Sequence, residues 1–415
     1  MQISKILGQR LTLNNVLYFL LNLYHSEKIT EMLSFLLWET KYRFRWYENQ
    51  RVLRFTHADS LLSLDEKLRL IAHSGLPFKI TAHQKACIIC FRENQCQWVV
   101  KEGNENTVQQ LGPDGQTGLA FSFPKRIDTL HLDSEGIIFC SSAGVLYRSD
   151  DRGKSFESVL RFSTPHSFFR NDTFAETPSG DIFLGEYANV KQGRKWKFVG
   201  YIYRSRNNGK TWEILDFLRK EKVNKHVHLL QWSPVIDGLV MTDGDNQKNL
   251  WINCSDAHFN NISDNPSQGW KKINRFHHHK GGYTGFVEVN GTLLFGTDYN
   301  GGTNFIVSSQ DMIQFREEVV PDPYRRAMFN RIALRKASDG STEIWASLLF
   351  KNSRKVKSLL MVSTNNGKSW TKVIEYNGTS FELKIISSSN SLYNELCLLV
   401  KDRNSDNIRS YIIHS

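Results

Sequence analysis

Several stretches of this chain gather side chains that do chemistry. His166-Ser167-Phe168-Phe169-Arg170-Asn171-Asp172 precedes Gly185-Glu186-Tyr187, then come His226-Val227-His228 and Thr242-Asp243-Gly244-Asp245, and last Tyr283 followed by Thr297-Asp298-Tyr299. Phe329-Asn330-Arg331 adds one more cation. Carboxylates such as Glu186, Asp243, Asp245 and Asp298 can serve in pairs as general acid and base or nucleophile. Imidazoles of His226 or His228 can take a proton, a phenol at Tyr187, Tyr283 or Tyr299 can return one, and Arg170 and Arg331 can hold an anionic group in two-point hydrogen bonds. His166 adds a further polar contact at the same place. His226, His228 and Asp243 would also suit a divalent metal, although two histidines on one strand face serve equally as ligand contacts.

Those residues need a scaffold that brings strand ends from distant parts of the chain to one place. A ten-residue pattern supplies it: Tyr203-Arg204-Ser205-Arg206-Asn207-Asn208-Gly209-Lys210-Thr211-Trp212 returns as Tyr147 to Phe156 and as Met361 to Trp370. In each, a short apolar strand runs into a turn held by Asp or Asn, with Gly at a positive φ and an aromatic opening the next strand. Degenerate copies stand at Asn253-Cys254-Ser255-Asp256 before Trp270 and at Val307-Ser308-Ser309-Gln310-Asp311 before Phe315. The anchoring serines Ser149, Ser205, Ser255, Ser308 and Ser363 recur roughly every 50 to 56 residues, the size of a propeller blade.

Ser-x-Asp-x-Gly-x-Thr-Trp resembles the Asp-box, or BNR repeat, of the sialidase superfamily of β-propellers. The resemblance implies an all-β fold, a β-propeller of Asp-box blades with a short helical N-terminal extension. Blades fall at about 77–123, 124–162, 163–218, 223–276, 282–320 and 327–376, with an incomplete last one at 380–415. Seven blades is the expected count; six with a more elaborate N-terminal domain is the alternative. Residues 1–76 form the extension and 77–415 the propeller, and a strand from about 42–57 is expected to complete the last blade and close the ring. Asp-box turns lie between third and fourth strands, so the starts of first strands and the ends of second strands share the other face, where the chemical residues converge. The stretch 174–305 is further similar to bacterial and archaeal Asp-box proteins described as glycosyl-hydrolase-like or sialidase-like. The classical sialidase pattern is not reproduced. Only Arg170 and Arg331 could serve in its arginine triad, its Phe/Tyr-Arg-Ile-Pro signature is absent, and Glu186 and Tyr187 point apart as strand neighbours.

Composition sets the partner. The 415 residues carry 53 Lys and Arg against 42 Asp and Glu, a formal charge of +11. That balance favours an anionic partner, and no nucleic-acid recognition motif accompanies it. An acidic polysaccharide or glycan is the partner expected, handled by glycoside hydrolase or uronate lyase chemistry at the mouth. A non-catalytic glycan- or protein-binding scaffold, or membrane-associated glycan biosynthesis, are the alternatives. The composition, with 40% hydrophobic residues, excludes a disordered chain. Six cysteines exclude a disulfide framework, and Cys87-x-x-Cys90 lacks the second pair that a zinc site needs. His277-His278-His279 reads as a polar loop, and no cofactor is expected.

The N-terminal residues 1–40 read as two short helices, Leu-rich and interrupted by Asn14, Asn15 and Asn22. They form either a cap on the propeller or a second subunit, or an interfacial pair that touches a membrane. No signal-type hydrophobic core or cleavage site is visible, so a cytoplasmic protein, peripheral at the inner face of the membrane, is expected. Residues 42–57 alternate as a strand or hairpin would, and residues 59–74 read as an amphipathic helix.

Overall fold

The computed structural model describes residues 12–25, 29–46, 51–56, 59–73, 75–83, 85–91, 97–112, 115–193, 195–223, 225–244, 248–254, 269–273, 282–387 and 393–414. Seven antiparallel sheets are arranged as blades about one axis, each ordered by consecutive strands from the inside out. Blade 1 is Ala86–Phe91, Gln97–Lys101, Asn104–Leu111 and Thr117–Ser122; blade 2 is Ile127–Leu132, Ile138–Ser142, Val145–Ser149 and Glu157–Arg161. Blade 3 is Phe168–Glu176, Ile182–Tyr187, Ile202–Ser205 and Glu213–Leu215; blade 4 is Val227–Ser233, Gly238–Asp243, Leu250–Cys254 and Lys271–Lys272. Blade 5 is Tyr283–Val289, Thr292–Thr297, Phe305–Ser309 and Arg316–Val319; blade 6 is Met328–Lys336, Thr342–Leu349, Ser358–Ser363 and Thr371–Tyr376. Blade 7 has Phe381–Ile385, Leu396–Asp402 and Ile408–His414 as its inner three strands.

The seven-blade count and the missing last strand hold, but the strand that closes the ring differs from the one expected. Lys79–His83 pairs antiparallel with Ile408–His414, from Lys79 opposite His414 to His83 opposite Ser410. Residues 42–57 do other work. The second N-terminal helix runs on to Arg43, and the chain beyond becomes a strap across two blade edges, bridging Val52 to Val319 and Phe55 to Trp370. The helix expected at 59–74 is not formed by the described residues 59–73. Leu62–Leu64 and Leu70–Ala72 make a hairpin that extends blade 6, with Leu62 parallel to Ile374. The spacing of leucines is compatible with either element; Asp65 decides it, because its Oδ1 accepts from the amides of Lys67 and Arg69 and so ties a turn where a helix would continue.

Each Asp-box is a self-contained hydrogen-bonded turn. Ser205 Oγ accepts from Gly209 N at 2.9 Å and donates to Asn207 Oδ1, which in turn accepts from Thr211 N at 3.0 Å. Ser149 with Asp151 and Ser363 with Asn365 repeat the pattern. In blade 5 the anchor is Ser309, whose Oγ accepts from Met312 N, and not Ser308 as the spacing suggested. The blade 4 copy at Ser255 lies outside the described residues. The turn's glycine also fits a neighbour: a Cβ at Gly153 would stand 2.4 Å from Trp98, and one at Gly209 2.4 Å from Phe139, both on the second strand of the preceding blade. The core is therefore a set of apolar seams between adjacent blades, with Trp98, Trp251, Trp270, Trp345 and Trp370 fully buried in them.

Candidate functional site at the channel mouth

First strands of neighbouring blades lie against one another around the axis. In blades 1 to 6 the ladder between first and second strands carries a bulge just after the first strand begins. In five of them one residue is passed over: Cys87, Asp128, His228, Thr284 and Asn330. Blade 3 departs from this. Phe169 faces Glu186 and Phe174 faces Leu184, so that Arg170, Asn171, Asp172 and Thr173 together stand opposite Gly185. Thr173 Oγ1 pins the protrusion, accepting from Arg170 N at 3.0 Å and donating to Gly185 O at 2.8 Å. Bulges re-aim side chains and are common where strands build a site.

A cavity of about 260 Å³ opens where these bulges meet, lined among others by Asp128, Arg170, Asn171, Asp172, Asn330, Arg331 and Lys384. The Asp172 carboxylate lies between two guanidinium groups, 3.4 Å from Arg170 Nη2 and 3.6 Å from Arg331 Nε. Arg331 is 9% exposed and donates through Nη1 to Ile385 O at 3.1 Å, while its Nη2 has no hydrogen-bond partner among the described residues. Burial pulls the Arg331 pKa down, Asp172 opposes that, and Arg170 adds to it. Two guanidinium groups and the Lys384 ammonium thus share the cavity with the Asp172 and Asp128 carboxylates. Below Arg170, the buried His131 has its Nδ1 3.3 Å from Asn171 Oδ1, and burial lowers its pKa to about 4, keeping the ring neutral.

Of the residues singled out from the sequence, Arg170 and Arg331 line this cavity. Tyr187, His226 and His228 stand beside it. The Tyr187 ring lies 5.4 Å from the Arg170 guanidinium and 4.1 Å from the His226 ring, and the two imidazoles approach to 3.0 Å through their Nε2 atoms. His226 Nδ1 is 2.6 Å from Ala188 O, and both histidines are buried. His166 is exposed on the loop before blade 3.

The carboxylates sit elsewhere. Glu186 begins its side chain at the mouth end of blade 3 but turns into the seam with blade 2, where it is fully buried and accepts from Ser163 N, Ser163 Oγ and Tyr203 Oη. Burial raises its pKa and those hydrogen bonds pull it back. Asp243 is likewise sealed, accepting from Asn249 N, Asn249 Nδ2 and Trp251 Nε1 at 2.9 to 3.0 Å, with burial raising its pKa to about 6. It clasps the loop between second and third strands of blade 4. Asp298 is half-buried and its amide donates to Gly282 O; Tyr299 is buried beneath Lys248, and Tyr283 is buried against Phe295. Asp245 lies outside the described residues. All these residues belong to strand ends on the mouth side, but pleat alternation sends Glu186 and Asp243 into the blades. Among the described residues no group of three His, Cys, Asp or Glu side chains is placed to hold a metal ion.

Asp128, Asn171, Asp172, Asn330 and Lys384 are the cavity residues that pattern reading passed over as site members. For Asp128, Asn171, Asp172 and Asn330 the trace is the extra residues near the start of the first strands of blades 2, 3 and 6, visible once the register is known; Lys384 lies on the unbulged first strand of blade 7. Because Glu186 fills a polar niche with three donors, Glu186→Ala would strand the buried Tyr203 hydroxyl in the seam. Its expected cost is about 2 to 3 kcal/mol in urea unfolding; an unchanged midpoint would contradict this placement.

Residues 146–159 match the BNR-Asp box repeat family. No curated protein sequence matches the chain. Among solved structures, streptogramin B lyase is similar at 15% identity over 81% of this chain and 98% of that one, with a TM-score of 0.53. YCF48 bound to D1 peptide follows at 15% identity over 82% and 96%, TM-score 0.48, and the Pan2 WD40 domain of Neurospora crassa at 10% over 81% and 94%, TM-score 0.45. At such identities the likeness shows the fold alone. Repeat motif, sheet order and the likeness to streptogramin B lyase agree: the chain is a seven-bladed β-propeller carrying a BNR-Asp box repeat.

Proposed function

We propose that the channel mouth binds an acidic glycan, taking a sugar carboxylate between Arg331 and Arg170. The observation that carries this reading is the buried Arg331 guanidinium with Nη2 unsatisfied in a polar cavity. A buried cationic donor without a partner is costly, and a carboxylate offering two acceptors is the group that relieves the cost best. Lys384 and the basic balance of the chain draw an anion toward the opening, while Tyr187, half-buried beside Arg170, offers an aromatic face for a sugar ring. Glu186 and Asp243 hold blades and loops in this reading and take no part in bond cleavage.

A second reading is favoured by one observation, the tilted contact of the Tyr187 and His226 rings, 4.1 Å apart, next to Arg170. That order suits β-elimination of a uronate: an arginine neutralises the carboxylate, an imidazole removes the proton beside it, and the phenol protonates the leaving oxygen. Titration calorimetry with a series of uronic-acid oligosaccharides, with absorbance of the unsaturated product followed in parallel, separates the two. Binding without product supports the first reading, and product formation supports the second. Arg331→Met is expected to weaken binding at least 30-fold, the loss of about 2 kcal/mol in charge-assisted hydrogen bonds. Equal affinity of wild type and variant would remove the mouth from consideration.

A further inference from the structure

Of the two N-terminal helices, α1 (Leu13–His25) and α2 (Ile29–Arg43), the second is held at the mouth end of the ring. One side of α2 is locked to the rim. Glu39 receives both Arg325 Nη1, at 2.6 Å, and Arg326 Nη2, at 2.7 Å, from the loop that leads into blade 6. Trp38 is buried edge-on against Phe305 of blade 5, and the Arg325 guanidinium covers the Tyr42 ring at 4.1 Å. The other side presents apolar side chains to the surface. On α1, Leu13, Val16, Leu17, Leu20, Leu21 and Tyr24 form one stripe at helical spacing, each between 38% and 76% exposed. Ile29, Leu33, Leu36 and Leu37 continue it on α2, and Phe44, stacked on Trp46, extends it past the helix end.

An exposed apolar surface of this extent marks an interaction site. We propose that this face docks on an anionic lipid surface, with the helices lying in its plane and the channel mouth turned toward it. Charge decides between a membrane and a protein occupant. α1 carries no Asp, Glu, Lys or Arg, the one described acidic side chain of α2 is consumed by Arg325 and Arg326, and the stripe ends at exposed Arg43 and Arg45. Apolar residues bordered by aromatics and arginines, with no free acid among the described side chains, match the acyl, interfacial and phosphate layers of a lipid headgroup region. Neither helix is long and apolar enough to cross a membrane, and thirteen residues reach only about 20 Å, so the pair lies on the surface instead of spanning it.

Sedimentation of the full chain with vesicles tests this. Binding is expected to vesicles holding a third of phosphatidylglycerol, to weaken at least tenfold on pure phosphatidylcholine or in high salt, and to be lost in Leu17→Glu/Leu21→Glu. Those two side chains are exposed, so the variant keeps the wild-type unfolding midpoint. Arg43→Glu/Arg45→Glu is expected to weaken binding about tenfold or more while leaving glycan binding at the mouth unchanged. Equal sedimentation of wild type and Leu17→Glu/Leu21→Glu overturns the proposal. So does a wild-type dimer in gel filtration that the same variant converts to monomer without any vesicle binding, which would assign the face to a second copy of the chain.

Discussion

Glu343→Ala is expected to destabilise the propeller by about 3 to 5 kcal/mol, the largest single effect the structure implies away from its turns. Arg335 is fully buried at the end of the blade 6 first strand, opposite the mouth, and its Nε meets Glu343 Oε2 at 2.8 Å. Trp345 Nε1 donates to the same oxygen at 2.8 Å, and Arg335 Nη1 reaches Asn394 O in the neighbouring blade. Truncating the acid leaves a guanidinium without its counter-charge and an indole N–H without an acceptor. Removing both charges is a different matter: Arg335→Met/Glu343→Met is expected to recover most of the loss, because the desolvation cost of the pair disappears with it. Urea unfolding of the wild type, the single variant and the double variant measures this, and equal losses in the two variants would contradict it.

Gly209→Val ranks with it, at about 3 to 5 kcal/mol. Gly209 closes the blade 3 Asp-box at φ +77°, a region closed to β-branched residues, and its Cβ would lie 2.4 Å from Phe139. Backbone strain and overpacking therefore add. The same substitution at Gly367 shares the strain, with φ +80°, but meets Leu294 at 3.2 Å, a distance a flexible side chain can yield. The expected order, Gly209 costlier than Gly367, separates the steric contribution from the conformational one. A reversed order would mean that blade packing at these turns is looser than the contacts suggest.

The repeats were legible because an Asp-box is local. Serine, Asp or Asn two residues on and Gly lie within one turn, and nothing from another blade is needed to hold it. The likeness of blades, and the side of the ring on which first strands begin, followed from that phasing. Ring closure was not legible, since Lys79–His83 is a plain alternating strand whose partner Ile408–His414 lies at the other end of the chain. Nothing in the local pattern of 79–83 distinguishes it from the start of blade 1. The hairpin at Leu62–Ala72 was hidden for a related reason: leucines spaced for a helix face were placed by blade 6 and by the Asp65 turn.

At the mouth, residue type and strand position pointed to the end of the molecule where the cavity opens and to Arg170 and Arg331, which line it. They could not tell which way Glu186 and Asp243 would turn, because a bulge shifts the pleat by one residue and its position is set by pairing, not by composition. The four-residue protrusion in blade 3 is the extreme case. It presents Arg170 and Asp172 to Arg331 from a strand whose sequence reads as continuous.

The most direct test is a crystal structure of the protein with a uronic-acid oligosaccharide bound. The account predicts a sugar carboxylate in the channel mouth within hydrogen-bond distance of Arg331 Nη2, with Arg170 on its other side and Tyr187 near the ring. A glycan seated on the outer face of a blade, with the Arg170, Asp172 and Arg331 cluster unchanged and empty, would contradict it.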